Sequence, residues 1–105
     1  DVARQAAAQE AERAIAAAPN ESEALYDLAT LLLQEQDFRA AEARFVAVLK
    51  ITPDSAQAHN NLGIAIASQG RVKEALFHFE RAVELSPTMQ DARANRDQAR
   101  AALRQ

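Results

Sequence analysis

Three prolines, Pro19, Pro53 and Pro87, stand 34 residues apart, and the rest of the chain keeps that interval. Ala7, Ala41 and Ala75 recur at it, as do Ala14, Val48 and Ala82, and then Ile15, Leu49 and Val83. A fixed period of this length marks one supersecondary unit stacked on copies of itself, since a unit so small cannot bury its apolar face alone.

Local signals within the period specify helices. After each proline comes a helix-start pair, Asn20 with Glu23, Asp54 with Gln57 and Thr88 with Asp91, spaced as in a capping box. In each, a short polar side chain can accept from an orphan backbone N–H at the helix start. The prolines push Ala18, Thr52 and Ser86 out of the α region, so the preceding helices end there. A second break falls near Gln36-Asp37 and Gln69-Gly70, where Gly70 suits a left-handed helix terminus and Asp37 can cap the next helix. Each unit is thus a helical hairpin. The spacing predicts six helices, approximately 2–17, 22–35, 38–51, 56–69, 72–85 and 89–104.

Composition agrees with packed helices. Hydrophobic residues make up 49% of the chain but aromatics only 5%, and much of the rest is alanine, so the core is built by close backbone approach. Two glycines, three prolines and no sustained apolar/polar alternation argue against a sheet. At 105 residues the chain fits one domain and has no room for a separate catalytic one. A net charge of −3 and a pI near 5.3 suggest no nucleic-acid partner. No apolar run is long enough for membrane insertion. The absence of cysteine removes disulfides and thiolate metal sites but leaves cytoplasm and periplasm both compatible. A chain starting at Asp1 reads as part of a longer one.

The motif His59-x-x-Leu62-Gly63-x-x-Ile66, then Ala75-x-x-x-Phe79, then Pro87 resembles the tetratricopeptide repeat signature, and Leu25-x-x-Leu28-Ala29-x-x-Leu32, Ala41-x-x-x-Phe45, Pro53 repeats it. The signature's Trp and Tyr places hold Leu25 and His59, then Leu32 and Ile66. The expected organisation is a single domain over 1–105, with repeats at 22–53 and 56–87, an N-terminal half-repeat or capping helix at 1–18, and a C-terminal capping helix at 88–105. The resemblance implies an all-α, right-handed superhelical stack of antiparallel hairpins. Small residues face large ones in it: Gly63, Ala29, Ala41 and Ala75 admit a neighbouring helix, and Phe45 and Phe79 fill the space between.

The resemblance also implies that the first helix of each pair lines a concave groove holding a peptide or protein segment. The groove candidates are Glu23, Tyr26, Thr30 and Leu33, then Gln57, Asn60, Asn61 and Ile64, with Asp91, Asn95 and Gln98 from the last helix. Tyr26 and Asn60 stand out, one for rigid contact area and the other for paired donor and acceptor. Some family members clamp a chaperone's C-terminal carboxylate with basic groups and asparagine. Here Tyr26, Asp91 and Asn95 stand where that clamp needs basic groups and only Asn61 fits, so that activity is not carried over.

The ends and the chemically reactive residues leave alternatives open. Helix 1–18 is in phase with a second helix lacking its first, which reads as a finished cap, as a surface awaiting a helix from another copy, or as the continuation of earlier repeats. It has Arg4 where the full repeats have Phe38 and Val72, and Ala11 where they have Phe45 and Phe79, which favours the cap. Arg93, Arg96 and Arg100 likewise replace core residues in the last helix, and with Arg104 they give 88–105 a charge of +2 against −5 elsewhere. His59, in a core place, reads as a packed histidine, and with His78 on another helix no metal site is expected. No nucleophile or phosphate-loop motif is present, so neither catalysis nor a cofactor is expected. Phe77 falls outside the core phase and is either covered by the last helix or a contact site on the outer surface. The expected role is a protein-binding scaffold, with homo-oligomeric assembly through helix 1–18 or Phe77 as the alternative.

Overall fold

The computed structural model describes Val2, Arg4, Gln5 and residues 20–105. Apart from those first three residues, the expected helix 2–17 lies outside the described residues. The others form five helices and no strand: α1 (Glu21–Gln34), α2 (Phe38–Ile51), α3 (Ala56–Ala67), α4 (Val72–Leu85) and α5 (Gln90–Leu103). They make the all-α stack of hairpins expected from the period, α1 packing on α2, α3 on α4, and each hairpin on the next helix.

The ends of the helices show why the units repeat. Asn20 caps α1 as expected, its side chain accepting from the Glu23 N–H at 3.2 Å. For α3 the cap is Ser55, one residue past the expected Asp54, and it accepts from the Ala58 N–H at 3.1 Å. Thr88 does not cap α5: Met89 stands there without a side-chain cap bond. Asp37 occupies the cap position of α2 but makes no cap bond, because its carboxylate takes the Arg4 guanidinium at 2.7 Å. The turn within each hairpin recurs faithfully. Gly70 has φ +85°, and Gln36, one period earlier, is forced to φ 62°. Both turns close the same way, Asp37 N–H donating to Leu32 O and Arg71 N–H to Ile66 O.

The core runs as one cluster through the stack. Leu28, Ala29, Leu32, Ala41, Phe45 and Val48 of the first hairpin are buried together with Leu62, Ile66, Ala75 and Phe79 of the second. Gly63 is a point of close approach within it. A Cβ placed there would lie 2.5 Å and 2.7 Å from ring atoms of Phe79, inside any contact real carbons make. Outside the core, Arg71 holds the hairpins together with a two-pronged bond to Glu42, at 2.9 and 3.0 Å, and a second to Glu74. Its guanidinium holds the Glu42 carboxyl below the usual range. Ala92 and Ala99 of α5 are buried, Arg93 and Arg100 are exposed, and Arg100 reaches Glu80 at 2.9 Å.

Two substitutions test these constraints. Gly63→Ala should destabilise the fold by about 1–3 kcal/mol through overpacking on Phe79. Gln36→Gly should stabilise it by roughly 0.5–1 kcal/mol, the relief of a left-handed residue less the added freedom of the unfolded chain. Urea unfolding midpoints at fixed slope decide both, and a neutral Gly63→Ala would mean that α3 and α4 can separate without cost.

Candidate functional site

The first helices of the hairpins lie side by side: α1 touches α3 and α3 touches α5, whereas the second helices α2 and α4 do not meet. The stack therefore curves toward α1, α3 and α5, whose shared surface is its inner face. A polar ladder runs along that face. Asn61 Nδ2 donates to the Tyr26 hydroxyl oxygen at 2.9 Å, and one period on Asn95 Nδ2 donates to Asn60 Oδ1 at 2.9 Å. Tyr26 is braced from below, its ring edge-on to buried Phe45 with centroids 5.9 Å apart. Asn60 is only 4% exposed, so this amide holds α3 to α5 and shows little of itself to solvent.

The remaining groove candidates divide between two recesses. Glu23, Tyr26 and Gln57 line one of about 300 Å³, closed behind by Val48 and Thr52. Ile64, Asn95 and Gln98 line another of about 300 Å³, bounded by Ala67, Val72 and Phe79. Thr30 turns its hydroxyl back onto the Tyr26 carbonyl at 2.9 Å, and Leu33 packs on the core. Asp91 is exposed in the first turn of α5, where its charge suits the helix N-terminus. The apolar walls of the second recess come partly from α4 and the far end of α5, which a reading confined to first-helix positions does not reach.

On the outer side Phe77 is 63% exposed, so the last helix does not cover it. Its ring stands edge-on to His78 at 5.2 Å. His78 in turn meets His59, which is buried as expected of a core place: the two Nδ1 atoms are 3.3 Å apart. With ring centroids 5.5 Å apart and planes 25° from parallel, the imidazoles meet edge to edge through those nitrogens. His59 Nε2 lies 3.1 Å from the Pro53 carbonyl, which can only accept, so His59 is protonated at Nε2 and its Nδ1 accepts from His78. Burial is the chief cause that lowers both pKa values. For His59 the bond to the Pro53 carbonyl opposes burial, and Arg81 lowers the value further against the weaker pull of Asp54; His59 lowers that of His78 against Glu74 and Glu42. The sequence hint to this pair is that both positions depart together from the first hairpin, which carries Leu25 and Arg44 there.

A family model described as "Tetratricopeptide repeat" matches residues 26–89. The peroxisomal targeting signal receptor of Eremothecium gossypii is 35% identical over 68 residues, covering 65% of this chain and 12% of the receptor. Among solved structures, MamA MSR-1 superposes with a TM-score of 0.79 at 25% identity, covering 96% of this chain and 58% of that one. MamA AMB-1 gives 0.79 at 23% identity, covering 91% and 52%. The chain thus spans a small part of the receptor and little more than half of either MamA chain.

The imidazole pair makes stability depend on pH in a defined direction. Because both folded pKa values lie below the ordinary 6.5, the unfolded chain takes up protons first as the medium is acidified. Stability is complete above that value and falls as pH drops through it toward the folded values. The urea midpoint should be lower at pH 5.5 than at pH 7.5, and the difference should shrink in the double variant His59→Leu, His78→Arg, which installs the first hairpin's residues. Equal slopes in the two proteins would show that the pair carries none of the effect.

Proposed function

Because the chain belongs to the tetratricopeptide repeat family, whose members are protein-interaction scaffolds, we propose that it is a non-catalytic adaptor holding an extended or helical segment of another protein along the inner face of α1, α3 and α5. The observation that carries this reading is the ladder of Asn61 on Tyr26 and Asn95 on Asn60. It fixes amide and phenol groups in a row before any partner arrives, so little side-chain freedom is lost on binding. Asn61 and Asn95 have each spent one donor within the fold, while Asn60 accepts, and the remaining bonding capacity of Asn61 and Asn95 serves a segment's main chain. The recesses at either end of the row give side chains somewhere to go. The relative named for recognising a targeting signal accords with segment binding.

A second reading has one observation in its favour, the exposure of Phe77 on the outer side: self-assembly through that surface.

Peptides selected from a random library on the immobilised protein separate the two. Tyr26→Phe combined with Asn95→Ala keeps the packing on Phe45, and it should weaken the selected peptides by about tenfold or more, whereas Phe77→Ser should leave them unchanged. Selected peptides indifferent to the inner-face pair would refute the groove reading. A sedimentation mass that rises with concentration and returns to monomer in Phe77→Ser would put self-assembly in its place.

A further inference from the structure

The two hairpins are copies offset by 34 residues, so a position-by-position comparison shows where the second has been altered. Three alterations fall together in space. Leu33, Phe38 and Ile64 of the earlier period become Ala67, Val72 and Gln98 in the later one. The first two changes remove apolar volume, and the third replaces a branched aliphatic by an amide. The reverse change, Ile64 in place of Thr30, restores only about a methyl group.

The recess between α3, the start of α4 and α5 is where these positions meet: Ala67, Val72 and Gln98 all line it. Phe79 and Ala99 supply more apolar wall, and at about 300 Å³ it reaches the lower end of the range for sites that bind small molecules or anchoring side chains. Among the described residues no ionisable side chain lines it; its polar groups are Ser68, Asn95 and Gln98. A charged occupant would give up hydration with no counter-charge in return.

We propose that this cavity is the anchor pocket of the groove and takes one uncharged, bulky apolar side chain of the bound segment, of leucine or phenylalanine type. The proposal rests on the groove reading above and names what that groove selects. The template for the occupant is internal: one period earlier the chain carries Leu33, which packs on the core, and Phe38 at the places where the recess has Ala67 and Val72, so the second hairpin is small where the first is bulky and apolar. Charge complementarity points the same way, the neutral lining favouring a neutral side chain. The bond to Asn60 fixes Asn95 beside the pocket, and its Oδ1 together with the Gln98 amide can pair with the segment's main chain on either side of the anchor.

The test uses the isolated side chain in place of an unidentified partner. N-acetyl-L-phenylalaninamide, N-acetyl-L-leucinamide and the α-amide of N-acetyl-L-aspartic acid, its side-chain carboxyl free, are titrated at millimolar concentration into the ¹⁵N-labelled protein. The apolar two should shift the amides of Ala67, Val72, Asn95 and Gln98, and the acidic one should not. Ala67→Leu with Val72→Phe restores bulk, and it should weaken the effect by about tenfold or more with an unchanged circular dichroism spectrum. Ala67→Leu alone serves if the pair disturbs folding. Absence of shifts, or shifts that survive the filled pocket, would overturn the proposal. So would a dimer that the filled variant dissolves, since the occupant would then be a second copy. Selected peptides that depend on Tyr26 and Asn95 yet show no preference for a bulky apolar residue overturn the pocket alone. Failure of the groove itself is read from the peptide selection, which does not involve the probe.

Discussion

Phe79 lies so near the backbone of Gly63 that a single methyl group there would have to occupy part of its ring. That approach sets the distance between α3 and α4, and the alanines at 29, 41 and 75, all fully buried, allow the same closeness elsewhere in the stack. Because the hairpins are this thin, the inner helices of successive hairpins come into contact while the outer ones stay apart. Curvature, and with it an inner face, follows from the choice of small residues at a few places. Bulky groups there would separate the helices and move the ladder amides out of reach of one another.

Packing of this kind leaves little room for polar groups inside, and the chain places those it has with care. Among the described residues no buried side-chain nitrogen or oxygen lacks a partner. Asn60 is deeply buried yet bonded across to the next helix, and His59 is satisfied by a backbone carbonyl on one side and a second imidazole on the other. Such groups fix the relation of one hairpin to the next, since an apolar substitute would pack without specifying the register. The inner face thereby combines rigidity with unspent hydrogen-bonding capacity, which is what a surface needs to hold another chain without reshaping itself.

Repetition also makes departures from it legible. Where both hairpins agree, in side chain at Phe45 and Phe79 or in left-handed backbone at Gln36 and Gly70, the position serves the fold. Where they differ in concert, the difference has a spatial meaning: the loss of Leu33 and Phe38 equivalents coincides with a recess, and the paired change of Leu25 and Arg44 to His59 and His78 coincides with a linked pair of rings. Neither cluster is visible along one helix, because each draws on residues from separate helices.

The sequence by itself determined the period, the helices and the core. Those depend on spacing along the chain: proline and the left-handed turn end a helix wherever they occur, and the apolar stripe must face whatever packs on it. Its errors were local, as when Ser55 displaced Asp54 as a cap because the turn after Pro53 runs one residue longer. Asp37 was likewise drawn from its cap by Arg4, a partner 33 residues away. Only the tertiary structure decided which inner-face side chains bond to one another within the fold. Tyr26, Asn60, Asn61 and Asn95 look alike in the pattern, but which atom meets which depends on the offset between adjacent inner helices. That offset is set by the packing of side chains against one another, a property of the assembled stack that no single repeat contains.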